Sequence, residues 1–312
     1  MARKGKFQIA SEYYLLRALL WFLGFVPRKA AVASGLLIAR LSYLGLWKLR
    51  RIGMRNAELA FPQTSKRERQ RLVLGCFKSL GRQLVELSRF HKATRRDLGR
   101  IVEYQSQERD REKFQEARAQ RRGIIFLAPH LGGWEMLAFA LSALHDEPGS
   151  YLARRLDNPR IEAMMEKIRS RFGVQPIDKE DAALPALELL RRGGVLGVMA
   201  DLNSLRNEGI FVPFFGHLAC TTAGVAALVM RTNALAMPVC APWDATKGRY
   251  VLRFGPALEF ESTSDRRRDA ERFTARFTRV FEEMVRDYPD QWYWIHKRWK
   301  TRPEGEPDLY QT

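Results

Sequence analysis

From residue 123 onward, short runs of β-type residues alternate with segments of ten or more residues whose apolar positions recur at helical spacing, and few folds accommodate that alternation. Strands are expected at residues 123–128, 150–153, 195–200, 235–241 and 250–254, and helices at 134–144, 159–172, 182–192, 222–231 and 266–287. Neighbouring parallel strands need a long crossover, and a helix supplies it. The expected class is therefore α/β, a mixed, largely parallel sheet covered by helices, with the ligand site at the carboxyl ends of the strands. A chain of 312 residues buries a large core, and no repeat or low-complexity linker divides it.

Upstream, residues 65–91 show helical spacing behind two cap candidates, Thr64 and Ser65, and predict an N-terminal helical layer. Before it lie two apolar stretches. Residues 13–26 are broken by Arg17 and ended by Pro27; residues 30–47 contain Arg40 and are followed by Lys48, Arg50 and Arg51. Neither offers the roughly 20 uncharged residues of a clean span, and no small-residue cleavage site follows. An amphipathic anchor or hairpin is expected, with Tyr13, Tyr14, Trp21, Phe22, Tyr43 and Trp47 at the interface; two ordinary core helices are the alternative. The division is an N-terminal helical, membrane-associating appendage over 1–52 and a main domain over 53–312, made of a helical layer to 120 and an α/β core from 121.

Lys and Arg number 53 against 35 Asp and Glu, a net charge of +18, which favours anionic partners: phospholipid, phosphorylated glycolipid, an acidic carrier protein or nucleic acid. No zinc finger, helix-turn-helix, KH or RRM signature accompanies the charge, so nucleic acid is not expected. The three cysteines, Cys76, Cys220 and Cys240, are widely spaced and read as buried, reduced thiols. His91, His145, His217 and His296 lack metal-ligand spacing, and no metal is expected. There is no Gly-rich phosphate loop or nucleophile elbow.

The stretch Ile124-Ile125-Phe126-Leu127-Ala128-Pro129-His130-Leu131-Gly132-Gly133-Trp134-Glu135 carries the most chemistry. An apolar strand ends at Ala128, Pro129 cannot extend a central ladder, and Gly132-Gly133 allow a tight turn into a helix. His130 then sits on a strand-to-helix loop with Glu135 in the first helical turn. If the turn folds the carboxylate back, Glu135 fixes one ring nitrogen of His130. The other nitrogen takes a proton from a hydroxyl that attacks a thioester. The plainer alternative has His130 capping the helix and Glu135 complementing its dipole. The N–H groups of Gly132 and Gly133 are oxyanion candidates by location.

Pro129 to Glu135 resembles the His-x-x-x-x-Asp/Glu motif of glycerolipid and lipid A acyltransferases, in the Glu form, with the flanking Gly-Trp of the lipid A branch. Three further segments resemble that branch, the late acyltransferases of lipid A biosynthesis. They are Arg154-Arg155-Leu156-Asp157-Asn158-Pro159, the run from Ala200-Asp201 to Phe214-Phe215-Gly216, and Tyr288 through Trp292, Trp294 and Trp299 to Pro303. Arg55-Asn56-Ala57-Glu58-Leu59-Ala60-Phe61-Pro62 looks like the family's early segment. The likeness spans residues 15–303.

The resemblance implies an acyltransferase with His130 and Glu135 catalytic and no bound cofactor. The acyl donor would be an acyl carrier protein thioester, or acyl-CoA, and the acceptor an anionic glycolipid at the cytoplasmic face of a bacterial inner membrane. Arg154 and Asn158 are then expected to bind substrate, Arg154 by gripping a phosphate; a surface salt bridge is its alternative. Phe214 and Phe215 are expected to wall an acyl groove, with core packing equally open, and Gly216 to permit a close backbone turn beside it. Thr221 and Thr222 would cap a helix and aim its N–H groups at a phosphate, though capping alone suffices. Family members often carry Asp-Gln-Asp where this chain has Asp201-Leu202-Asn203, so only Asp201 is carried over. The mixture of tryptophan with Lys and Arg from Trp292 to Arg302 suggests a headgroup contact or a docking face for the carrier protein. The rival readings are the same chemistry on a lysophospholipid, an amino-acid lipid or a phosphatidylinositol mannoside, and a non-catalytic basic membrane-binding protein.

Overall fold

A computed structural model describes residues 5–145, 149–170 and 173–311. Its centre is a sheet in the order β1 (Val102–Gln105), β10 (Arg249–Phe254), β8 (Leu235–Cys240), β2 (Ile124–Ala128), β5 (Val195–Met199), β3 (Ser150–Ala153), β4 (Gln175–Asp178), with β9 (Trp243–Asp244) paired on β10. The strands from β8 to β4 are mutually parallel; β10 runs against β8 and carries β1 parallel to itself. The mixed, largely parallel sheet expected from the alternation is therefore present. A separate hairpin, β6 (Gly209–Phe214) and β7 (His217–Thr222), lies outside it. Its loop is Phe215-Gly216, with φ +50° and +77°, the positive angles of a two-residue hairpin turn.

β2 lies between β8 and β5 and is buried along its whole length. Each of its large apolar side chains contributes about 1.5–3 kcal/mol by burial. Helices α7 (Trp134–His145), α8 (Pro159–Arg169), α9 (Ala183–Arg191), α10 (Gly224–Thr232) and α11 (Arg266–Asp287) follow the expected pattern to within a few residues.

The N-terminal layer is α1 (Lys6–Phe25), α2 (Arg28–Gly45), α3 (Trp47–Ala60) and α4 (Lys66–Phe90), followed in the chain by α5 (Arg95–Ile101) and α6 (Glu108–Ala119) on either side of β1. Ser65 and Glu68 form a reciprocal capping box that starts α4. α2 lies along α4 at a contact where a Cβ on Gly81 would come within 2.4 Å of the Gly35 carbonyl oxygen, so this crossing requires glycine. α3 runs unbroken through position 52, the boundary read from sequence. The outer face of α1 exposes Phe7, Tyr14, Trp21 and Phe25, spaced 7, 7 and 4 residues apart and so on one side. α2 exposes Leu37, Leu41 and Leu44. Among the described residues no single helix is long and apolar enough to cross a membrane; α2 and α3 together pass that test but are bent by 88°.

Candidate active site

β2 and β5 pair in parallel with Ala128 beside Met199, so two residues further on His130 stands beside Asp201. The His130 ring Nδ1 lies 2.6 Å from Asp201 Oδ1. Asp201 Oδ2 accepts from the His130 backbone N–H at 2.8 Å and from Trp292 Nε1–H at 2.7 Å. With only donors around it, Asp201 is a carboxylate, and His130 presents Nδ1–H to it and keeps a lone pair on Nε2. Burial alone would push the Asp201 carboxyl up. The attraction of His130 and these hydrogen bonds outweigh it and hold the group below the usual carboxylate range.

Glu135 does not orient the imidazole. The first turn of α7 points its carboxylate at α8, where Arg169 grips it through Nη2 at 2.8 and 2.9 Å and Nε at 3.1 Å. The Arg169 guanidinium also lies over the Tyr151 ring. The pairing expected from the five-residue spacing is thus replaced by Asp201 with His130 and by Glu135 with Arg169. His130, Glu135 and Arg169 line one cavity, with Asp201 buried behind the imidazole.

That cavity, about 710 Å³, opens between the carboxyl ends of β2, β3 and β5 and runs past Leu137, Leu141, Val174, Leu187, Val195 and Leu228. Arg154, Lys179 and Arg231 also line it.

The turn after His130 is fixed by its glycines. Gly132 has φ +64°, and a Cβ there would lie 2.1 Å from the Ala241 carbonyl oxygen. Its N–H donates to Gln291 O at 3.1 Å and that of Gly133 to Ala241 O at 2.7 Å. Both oxyanion candidates are consumed in holding the loop.

Of the other expected residues, Arg154 lines the cavity, with an ion pair to Asp157 at 3.5 Å. Thr222 lines it as well and accepts from Gly224 N–H, a local turn at the start of α10. Thr221 is fully buried and bonded to Arg298. Asn158 is a structural clamp: its Oδ1 caps α8, and its Nδ2 donates to Ile9 O and Glu12 Oε2 of α1. Phe214 and Phe215 pack as core, against Trp292, Trp294 and Trp299, and Gly216 turns the hairpin behind them; none of the three lines the cavity. Those three tryptophans are buried to 1% or less, so the block from Trp292 to Arg302 supplies core and no tryptophan surface. Cys76, Cys220 and Cys240 are free and buried.

Sequence reading missed His296. It lines the cavity, its Nε2 accepts from Asn203 N–H at 3.2 Å, and its carbonyl is held by Asn56 Nδ2 at 2.6 Å. Burial pushes its pKa down to about 4, against the pull of Asp201.

A histidine held by a buried carboxylate at the strand ends of an α/β sheet, facing a long apolar cavity, equips an enzyme to deprotonate a hydroxyl beside an aliphatic chain. By family, this enzyme is an acyltransferase. Residues 1–301 match the profile described as bacterial lipid A biosynthesis acyltransferase, and the chain belongs to that family. It is 29% identical to the lipid A biosynthesis lauroyltransferase of Escherichia coli K12, over 93% of this chain and 92% of that one. Identity to the palmitoleoyltransferase of the same organism is 26% over the same shares. Among solved structures, the 1-acyl-sn-glycerophosphate acyltransferase PlsC of Thermotoga maritima matches at 14% identity and a TM-score of 0.38, covering 83% of this chain and 97% of that one.

Proposed function

We propose that this enzyme moves a fatty acyl chain from an acyl carrier protein thioester to a hydroxyl of a phosphorylated glycolipid, a lipid A precursor, at the cytoplasmic face of the inner membrane. The observation that carries the reading is His130, polarised by Asp201 at 2.6 Å and facing the 710 Å³ cavity. The acyl chain occupies the cavity, where each buried methylene contributes about 0.8 kcal/mol. His130 Nε2 takes the hydroxyl proton as the oxygen attacks the thioester carbonyl carbon. When the carbon–sulfur bond breaks, the same nitrogen returns the proton to the thiolate, and Asp201 stabilises the transient imidazolium. No covalent acyl-enzyme and no bound cofactor are required.

Arg154, Lys179 and Arg231 make the cavity lining basic, which suits both a phosphorylated acceptor and an acidic carrier protein. The exposed aromatic stripe of α1 and the leucines of α2, flanked by Arg17, Arg40 and Lys48, suit burial at headgroup depth.

The test incubates purified protein with acyl carrier protein and CoA thioesters of several lengths. Phosphorylated glycolipid, lysophospholipid and phosphatidylinositol mannoside acceptors are offered in mixed vesicles, and product masses are read. Acyl transfer from the carrier protein to the glycolipid, abolished by His130→Ala with vesicle binding intact, is expected. Failure of every pair with folded protein, or transfer to lysophospholipid alone, overturns the reading.

A further inference from the structure

The tetrahedral intermediate of this reaction carries a negative oxygen that needs a donor. The N–H groups nearest to hand, those of Gly132 and Gly133, are already bonded to Gln291 O and Ala241 O. A second imidazole lines the same cavity. His296 receives a hydrogen bond from the backbone N–H of Asn203, and a backbone N–H can only donate, so Nε2 holds its lone pair there. A neutral ring must then carry its hydrogen on Nδ1, for which no acceptor pairs among the described residues.

We propose that His296 is a catalytic residue: a neutral imidazole whose Nδ1–H donates to the thioester carbonyl oxygen as it becomes an oxyanion. The assignment rests on the acyl-transfer reading with His130 as base. One short segment at the end of β5 sets the two rings apart. Asp201 offers His130 a carboxylate, which favours the ring that accepts a proton; two residues on, at most about 7 Å of chain, Asn203 offers His296 an N–H, which favours the ring that keeps one. Burial reinforces the difference, because it disfavours a charged His296, and the nearby cations Arg298 and Lys300 act in the same direction. Asn56 fixes the ring's backbone by bonding the carbonyls of Trp294 and His296, both at 2.6 Å. Proton and electrons balance without a further reactant. The hydroxyl proton goes to His130 Nε2, the carbonyl π pair moves to oxygen and is held by His296 Nδ1–H, and collapse expels the thiolate, which His130 protonates. His296 ends as it began.

The experiment compares His296→Phe, which keeps an aromatic ring and loses the donor, with His296→Gln, whose amide can accept from Asn203 and donate at the same time. Turnover and both substrate KM values are measured in vesicles, with the wild type and His130→Ala as controls. His296→Phe is expected to lower kcat about 10²–10³-fold with both KM values within about threefold, and His296→Gln to recover at least tenfold of that loss. Equal loss in both variants, or a raised acceptor KM with kcat unchanged, overturns the proposal; the second result would make His296 a headgroup contact. Carbon-13 and nitrogen-15 shifts of the wild-type ring give a reading independent of whether the variants fold. A neutral Nδ1–H tautomer from pH 6 to 8 is expected, and an Nε2–H tautomer or an imidazolium in that range refutes it. Retained turnover in His130→Ala would instead strike at the base, separating the two failures.

Discussion

Asp201→Asn isolates the contribution of the carboxylate to catalysis. Asp201 is surrounded by three donors: His130 Nδ1–H, His130 N–H and Trp292 Nε1–H. An amide has one oxygen. If its nitrogen faced the backbone and the indole, two donors would be opposed; if it faces the imidazole, only one is. The second orientation costs less, and it forces His130 to accept on Nδ1 and carry its hydrogen on Nε2, the nitrogen that must be free to take the substrate proton. Loss of the correct tautomer is worth a factor of about 10³–10⁴ in kcat, or about 4–5.5 kcal/mol of transition-state stabilisation. Glu135 gives the contrast. Its carboxylate is bound by Arg169, so Glu135→Gln and Arg169→Gln are expected to show similar, smaller losses, and the double variant to be no worse than either single one. The assay is steady-state turnover from carrier-protein thioester in vesicles, with melting temperatures to confirm folding. A loss in Glu135→Gln as deep as that in Asp201→Asn, with Arg169→Gln silent, would return the orienting role to Glu135 and refute the reasoning.

Gly132→Ala places a methyl against the Ala241 carbonyl at a positive φ, and is expected to cost about 3–5 kcal/mol in chemical denaturation; a midpoint within error of wild type would mean that the turn is not held as described. His296, with a pKa of about 4 when folded against an ordinary 6.5, excludes a proton that the unfolded chain binds. Stability from this group is therefore complete above about pH 6.5 and falls as pH drops toward 4, by up to about 3 kcal/mol. Urea titrations at pH 7.5 and 4.5 should show His296→Gln losing less stability on acidification than wild type, and equal losses would contradict the buried, neutral ring.

The parallel core was legible because its strands are apolar runs bounded by glycine, proline and charge. β1 and β4 were not, being four-residue edge strands with exposed positions, and neither was the β6–β7 hairpin, whose Phe215-Gly216 turn lacks the Asn-Gly or Asp-Gly signal. His130 stood out because a proline and two glycines frame it. Its partner did not, because local spacing favours Glu135 whereas the contact depends on the register between strands 71 residues apart. A signal was present: each central strand is followed two residues after its end by a titratable side chain, His130 after Ala128 and Asp201 after Met199. The tryptophans beside Lys and Arg were read as surface because sequence cannot tell which side of an irregular segment faces inward. Buried Arg298 shows the difficulty, for it bonds to the carbonyls of Leu202 and Cys220 and to Thr221, where charge suggested solvent.

The departure from Asp-Gln-Asp at residues 201–203 can be weighed on the same geometry. At position 203 the contact to His296 is made by the backbone N–H, which any residue but proline supplies. The Asn203 side chain is spent elsewhere. Its Oδ1 accepts from Thr301 N–H at 2.9 Å and its Nδ2 donates to Thr301 Oγ1 at 2.9 Å, tying the end of β5 to the segment that carries His296. An aspartate would still accept from Thr301 N–H but would lose the Nδ2 donations to Thr301 Oγ1 and Ser204 O, and the Thr301 hydroxyl, which donates to Ser204 O, could turn to it only by giving up that bond; exchange at this position weakens the tie and changes its charge. Position 201 has no such latitude, because three donors converge there on one carboxylate.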